Sequence, residues 1–96
     1  MNPIDDEEIK LKVVIKLLQK NSVGRNKWQV DTVKNWLRSS DQGRGEELIR
    51  EMIRDPNAPL EGYGGGARDN VRLTSIQDAI QFVEDHGGEL PWKYRD

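Results

Sequence analysis

The chain has no cysteine and a single histidine among its 96 residues. Without cysteine there is no disulfide, no thiolate nucleophile and no zinc–thiolate site, a pattern that fits a reducing compartment. Long apolar runs are missing too: the densest cluster, Val13–Leu18, is broken by Lys16. Nothing approaches the roughly 18 residues needed to span a bilayer, so no membrane partner is expected. At the N-terminus, Asp5, Asp6, Glu7 and Glu8 stand where a secretory leader needs positive charge followed by an apolar stretch. The cytoplasm is the expected location.

What is present is charge and a lean apolar complement, 33% and 34% of the residues. That suffices for one small core, so residues 1–96 are expected to form a single domain. The net charge of −2 hides an asymmetry. Residues 16–44 carry seven basic and two acidic side chains, and residues 45–96 carry six basic and eleven acidic. Clustered charge steers partners of opposite sign, although it more often marks a solvated face.

The apolar spacing predicts four helices. The first runs over about Asp6–Lys20, with acidic residues at its positive end and a stripe of Leu11, Val14, Ile15 and Leu18, widened by Val13 and Leu17. The second starts between Asn26 and Asp31 and ends near Ser40, with Val30, Val33 and Leu37 on one face. After a polar turn the third spans about Gly45–Arg54, with Leu48, Ile49, Met52 and Ile53 as its stripe and Pro56 as its stop. Asp55–Asn70 holds two prolines and four glycines and reads as a long loop, mobile near 56–70. Val71 and Leu73 allow a short strand, and a partner at Leu60–Tyr63 would make the glycines a hairpin tip. The fourth helix follows a capping box, Thr74 with Gln77 or Ser75 with Asp78, and stops at Gly87. The fold expected is mostly α, a compact bundle of about four helices with room for a short β-hairpin between the third and fourth. Its core is expected to hold Leu11, Val14, Ile15, Leu18, Val33, Leu37, Leu48, Met52, Ile53, Ile76, Ile80 and Val83. The tail, residues 89–96, carries Trp92 and Tyr94 and is expected either to fold back or to hang loose.

Chemistry is hard to build from this inventory. A nucleophile needs a base and an orienting group, and His86 is the only imidazole, placed where a helix end stabilises a cation for structural reasons alone. Glu84, Asp85, His86 and Glu89 point in different directions on a helical wheel, so no metal site is expected. No catalytic residue and no cofactor is assigned, and the chain reads as a binding module rather than an enzyme. The segment Gly62–Arg68 lacks the spacing of a P-loop or a dinucleotide turn. A loop tip is the simpler reading; the alternatives are a phosphate cradle completed by Arg68, as a small enzyme or phosphate-ligand binder would use, and an RNA contact through Tyr63, Arg68 and Arg72.

Two candidate surfaces remain. Protein contact, or self-association, ranks first, through Trp28, Trp92 and Tyr94, since large rigid aromatics dominate interface energies. Nucleic-acid binding ranks second, through Arg25, Lys27, Lys34, Arg38 and Arg44, with Arg68 in the glycine-rich loop; Lys27, Lys34 and Arg38 would share one helix face. Val30–Arg38 (VDTVKNWLR) resembles the recognition helices of helix-turn-helix proteins, but Ser22–Gln29 before it is too short to hold that motif's first helix. The element order also resembles a winged-helix layout. Its reading helix would then be Gly45–Arg54, with Glu46, Glu47 and Glu51 facing phosphates, which argues against that function.

Overall fold

A computed structural model describes residues 5–63 and 69–95. The Asp5 carboxylate accepts the Glu8 amide at 2.9 Å and starts α1 (Asp6–Gln19), whose first turn is acidic, as the helix dipole favours. Ile9, Val13, Val14, Leu17 and Leu18 are its buried residues. The stripe therefore sits one residue further round than the spacing suggested, and Leu11 and Ile15 are only partly buried on its flank. Asn21 takes a left-handed φ of 54° to reverse the chain, and the Ser22 amide closes on the Leu17 carbonyl at 3.0 Å.

The second expected helix is mostly absent. Trp28–Gln29 forms β1, α2 covers only Val30–Lys34, and the chain then runs through turns to a single 3₁₀ turn at Ser39–Asp41. That turn feeds directly into α3 (Gln42–Arg54), which starts three residues earlier than expected. The physical reason is one close packing contact. Leu37, beyond α2, is buried with a methyl group in the space that a Cβ on Gly45 would occupy, so the glycines that read as a turn lie inside the helix.

The loop expected over 55–70 holds a strand, as the hairpin alternative allowed, while the expected glycine tip at 64–68 lies outside the described residues. β2 (Leu60–Tyr63) and β3 (Asn70–Leu73) pair antiparallel with Leu60 opposite Leu73 and Tyr63 opposite Asn70. β1 joins the other edge of β3, with Trp28 opposite Val71, giving a three-stranded sheet in the order β1-β3-β2. No pattern announces β1 in advance, because two residues carry no period. Leu60, Val71 and Leu73 turn inward and join the helices in one core. Helix α4 (Ile76–Asp85) starts at Ser75, whose hydroxyl accepts the Asp78 amide at 3.0 Å, while Thr74 donates its hydroxyl to the Asp78 carboxylate at 2.8 Å. Gly87 ends it at φ 70°.

Helix α1 packs on α3 and α4, α2 packs on α3, and α3 leads into β2. The fold is thus mostly α, with four helices and a small sheet. Val14, Leu18, Val33, Leu37, Leu48, Met52 and Val83 are buried as expected, whereas Ile53, Ile76 and Ile80 only border the core. Ile9, Val30, Ile49 and Ala79 fill it instead. Helices α1 and α2 both pack on α3, and β2 and β3 follow it.

Gly45→Val is expected to destabilise the fold by about 2 kcal/mol through overpacking against Leu37. Gly43, with open space at its Cβ position, is expected to accept Ala with a gain of up to about 1 kcal/mol from helix propensity. Paired urea denaturations check both, and equal effects at the two glycines would contradict the close contact.

Candidate functional site

Helix α3 follows the short α2 and packs against both α1 and α2. Its inner face, Gly45, Leu48, Ile49 and Met52, is buried. Its outer face carries Gly43, Arg44, Glu47, Glu51 and Arg54, all exposed. Ser39 and Ser40 are exposed just before its first turn.

The carboxylates that argued against this face are largely spoken for. Glu46 is partly buried and accepts from Lys34 at 2.9 Å and from Arg50 at 3.2 Å. Glu47 accepts from Arg44 at 2.7 Å. Glu51 is the outward carboxylate of α3 that makes no ion pair among the described residues. The same pairings occupy cations. Arg44 also grips Asp6 through both Nε and a terminal nitrogen, at 3.0 and 2.6 Å, which ties the start of α3 to the start of α1. Arg50 reaches Asp69 at 2.7 Å, beside β3. These contacts hold Asp6 and Glu46 below the usual carboxylate range, chiefly through the hydrogen bonds from Arg44 and from Lys34, and raise Lys34, chiefly through its hydrogen bond to Glu46.

The cationic residues singled out in the sequence do not form one face. Lys27 precedes β1, Lys34 ends α2 and Arg38 lies beyond it, so the helix that would have aligned them does not exist. Lys34 is bound to Glu46 and Arg44 to Asp6 and Glu47. Arg38 donates from Nε to Asp41 at 3.1 Å, and that carboxylate is buried under it at the entrance to α3. Arg25 is exposed, and Arg68 lies outside the described residues.

The three aromatics divide. Trp28 is partly buried, edge-on to Trp36 with ring centroids 5.3 Å apart, and the Lys20 ammonium sits 5.5 Å from each ring. Its indole Nε1 is buried without a partner. Tyr94 is partly buried and its hydroxyl is shared between the Leu18 carbonyl, at 3.3 Å, and the Asn21 side chain, at 3.2 Å. The segment after α4 therefore folds back along α1. Trp92, on the same single 3₁₀ turn as Tyr94, is 83% exposed. Trp28 and Tyr94 are packing residues here, and Trp92 is the exposed one of the three, with the Arg95 guanidinium 5.9 Å from its ring.

His86 has a structural role. Its ring stacks on Phe82 at 4.0 Å, Nδ1 faces the Phe82 carbonyl at 2.8 Å, and Nε2 faces Glu7 at 3.1 Å, joining the end of α4 to the start of α1. Among the described residues no three metal-ligating side chains cluster, and no helix is long and apolar enough to cross a membrane. No family model, curated protein or solved structure matches the chain.

Two outcomes follow from the ion pairs. Arg38→Ala leaves the buried Asp41 without its charged donor and is expected to cost about 2 kcal/mol, whereas Arg25→Ala is expected to be close to neutral; chemical denaturation of both checks this. Because Asp6 and Glu46 titrate below their ordinary range, their contribution is fully present at neutral pH and is lost as pH falls below about 4. Asp6→Asn and Glu46→Gln should flatten the acid side of a thermal-stability profile, and an unchanged profile would contradict the assignment.

Proposed function

We propose that the chain is a non-enzymatic module that binds duplex DNA, with α3 entering the major groove and the β2–β3 hairpin lying beside it. The observation that carries this reading is the chain trace: two packed helices and a hairpin leave the outer face of the second helix uncovered. A helix is about 10–12 Å across and the major groove of B-form DNA is about 12 Å wide, so the match is geometric; the major groove of A-form RNA is too narrow to be read this way.

The electrostatics set the expected character of the binding. Glu46 and Glu47 are neutralised within the chain, which removes most of the repulsion their presence in α3 implied. Arg44 is neutralised in the same way, so few cations remain for phosphates and Arg54 is the principal one on α3. Binding should therefore be modest, with a shallow dependence of affinity on salt, since the slope reports the number of phosphates contacted.

A second reading has its own observation, the exposed Trp92. A bulky aromatic held in solvent by a turn that is pinned at its neighbour Tyr94 suits a protein contact, including one with another copy of the chain.

Anisotropy titrations of a labelled random duplex, run from low to physiological salt, test the first reading. The expectation is a log-linear loss of affinity with salt, weaker binding for Arg54→Ala and tighter binding for Glu51→Gln, with Trp92→Ala unchanged. Absence of binding at the lowest salt, or indifference to both α3 substitutions, would overturn it. For the second reading, a photo-reactive residue at position 92 should capture a discrete polypeptide that excess wild-type chain displaces and excess Trp92→Ala does not.

A further inference from the structure

A cleft of about 520 Å³ runs between α4 and the connection that follows α3. Met52 and Phe82 supply apolar lining, and Phe82 is held in place by the stacked His86 ring. Three carboxylates, Asp55, Asp78 and Asp85, line the same cleft. Each accepts from a neutral donor of its own segment: Asp55 from the Asn57 amide at 2.9 Å, Asp78 from the Thr74 hydroxyl at 2.8 Å and Asp85 from the Gln81 amide at 2.8 Å. None of the three pairs with a cation among the described residues, whereas Asp6, Asp31, Asp41, Glu46, Glu47, Glu61 and Asp69 all do. Lys10 and His86, which also line the cleft, make their ion-pair contacts with Glu7, at 3.7 and 3.1 Å, rather than with Asp55, Asp78 or Asp85.

We infer that this cleft docks a basic segment of a partner polypeptide. An arginine or lysine side chain is the complementary shape and charge: its aliphatic stem lies along Met52 and Phe82, and its head sits among Asp55, Asp78 and Asp85. Phosphates are repelled by the same carboxylates, so this face is separate from the DNA-binding reading and does not depend on it. The apolar lining distinguishes the cleft from a merely acidic surface, because it rewards a cation carried on an apolar stem over a free inorganic ion.

The test is a methyl and aromatic NMR titration of the whole chain with a short arginine-containing peptide, its citrulline counterpart and spermidine. The expected result is saturable shifts at the Met52 methyl and the Phe82 ring with the arginine peptide alone. Asp78→Asn combined with Asp85→Asn should weaken binding at least about tenfold, as loss of charge complementarity predicts, while Glu84→Gln, outside the cleft, should leave it intact. Asp55→Asn provides an independent arm, since asparagine keeps the acceptor for the Asn57 amide and so the local turn. Spermidine binding as well as the peptide, equal weakening by Glu84→Gln, or the absence of saturation would overturn the inference.

Discussion

The structure depends on how closely α3 approaches the chain that leads into it. Leu37 is buried against the helix at a point where α3 has no side chain, and Gly45 is the residue that makes this approach sterically permissible. The early end of α2 and the 3₁₀ turn that carries buried Asp41 lie on either side of this contact. A larger residue there would force the two segments apart and with them the helix pair on which the DNA-binding reading rests.

Charge is arranged with the same economy. The helix that would contact DNA is rich in carboxylates, yet Glu46 bridges Lys34 and Arg50, and Glu47 shares Arg44 with Asp6. These partly exposed pairs add little stability individually. Their effect is to leave α3 close to neutral on its outside and to tie it to α1 and to the residues flanking β3. Three carboxylates without a cationic partner among the described residues, Asp55, Asp78 and Asp85, line the cleft beside α4. The chain thus presents two chemically different surfaces, a nearly neutral outer face on α3 and a cleft whose three carboxylates pair with no cation among the described residues.

Much of this was legible in the sequence, and what was not has specific causes. Helices α1 and α4 were readable because their caps, Asp5 and Ser75, and the stop at Gly87 are local devices. The hairpin was readable from the alternation at Val71 and Leu73. The second helix was overextended because Val30, Val33 and Leu37 keep a helical spacing even though Leu37 is buried from a turn. Gly43 and Gly45 hid the start of α3, since a helical glycine, whether in open space like Gly43 or set against a neighbour like Gly45, looks like one selected for a turn. The basic face fell with the long second helix. The pairing of Glu46 with Lys34, twelve positions away, lies beyond any local pattern, and so the carboxylates of α3 read as more hostile to DNA than their surroundings make them. Trp28, Trp92 and Tyr94 looked alike as aromatics, and only the docking of the tail on Leu18 separates the exposed one from the other two.

The central claim is that the outer face of α3 is the working surface. Backbone amide shifts recorded while unlabelled duplex is added to isotopically labelled chain test it most directly. The account predicts that perturbations concentrate on residues 39–54 and the β2–β3 hairpin and saturate together; shifts confined to residues 89–95 or to the cleft beside α4, with α3 silent, would contradict it.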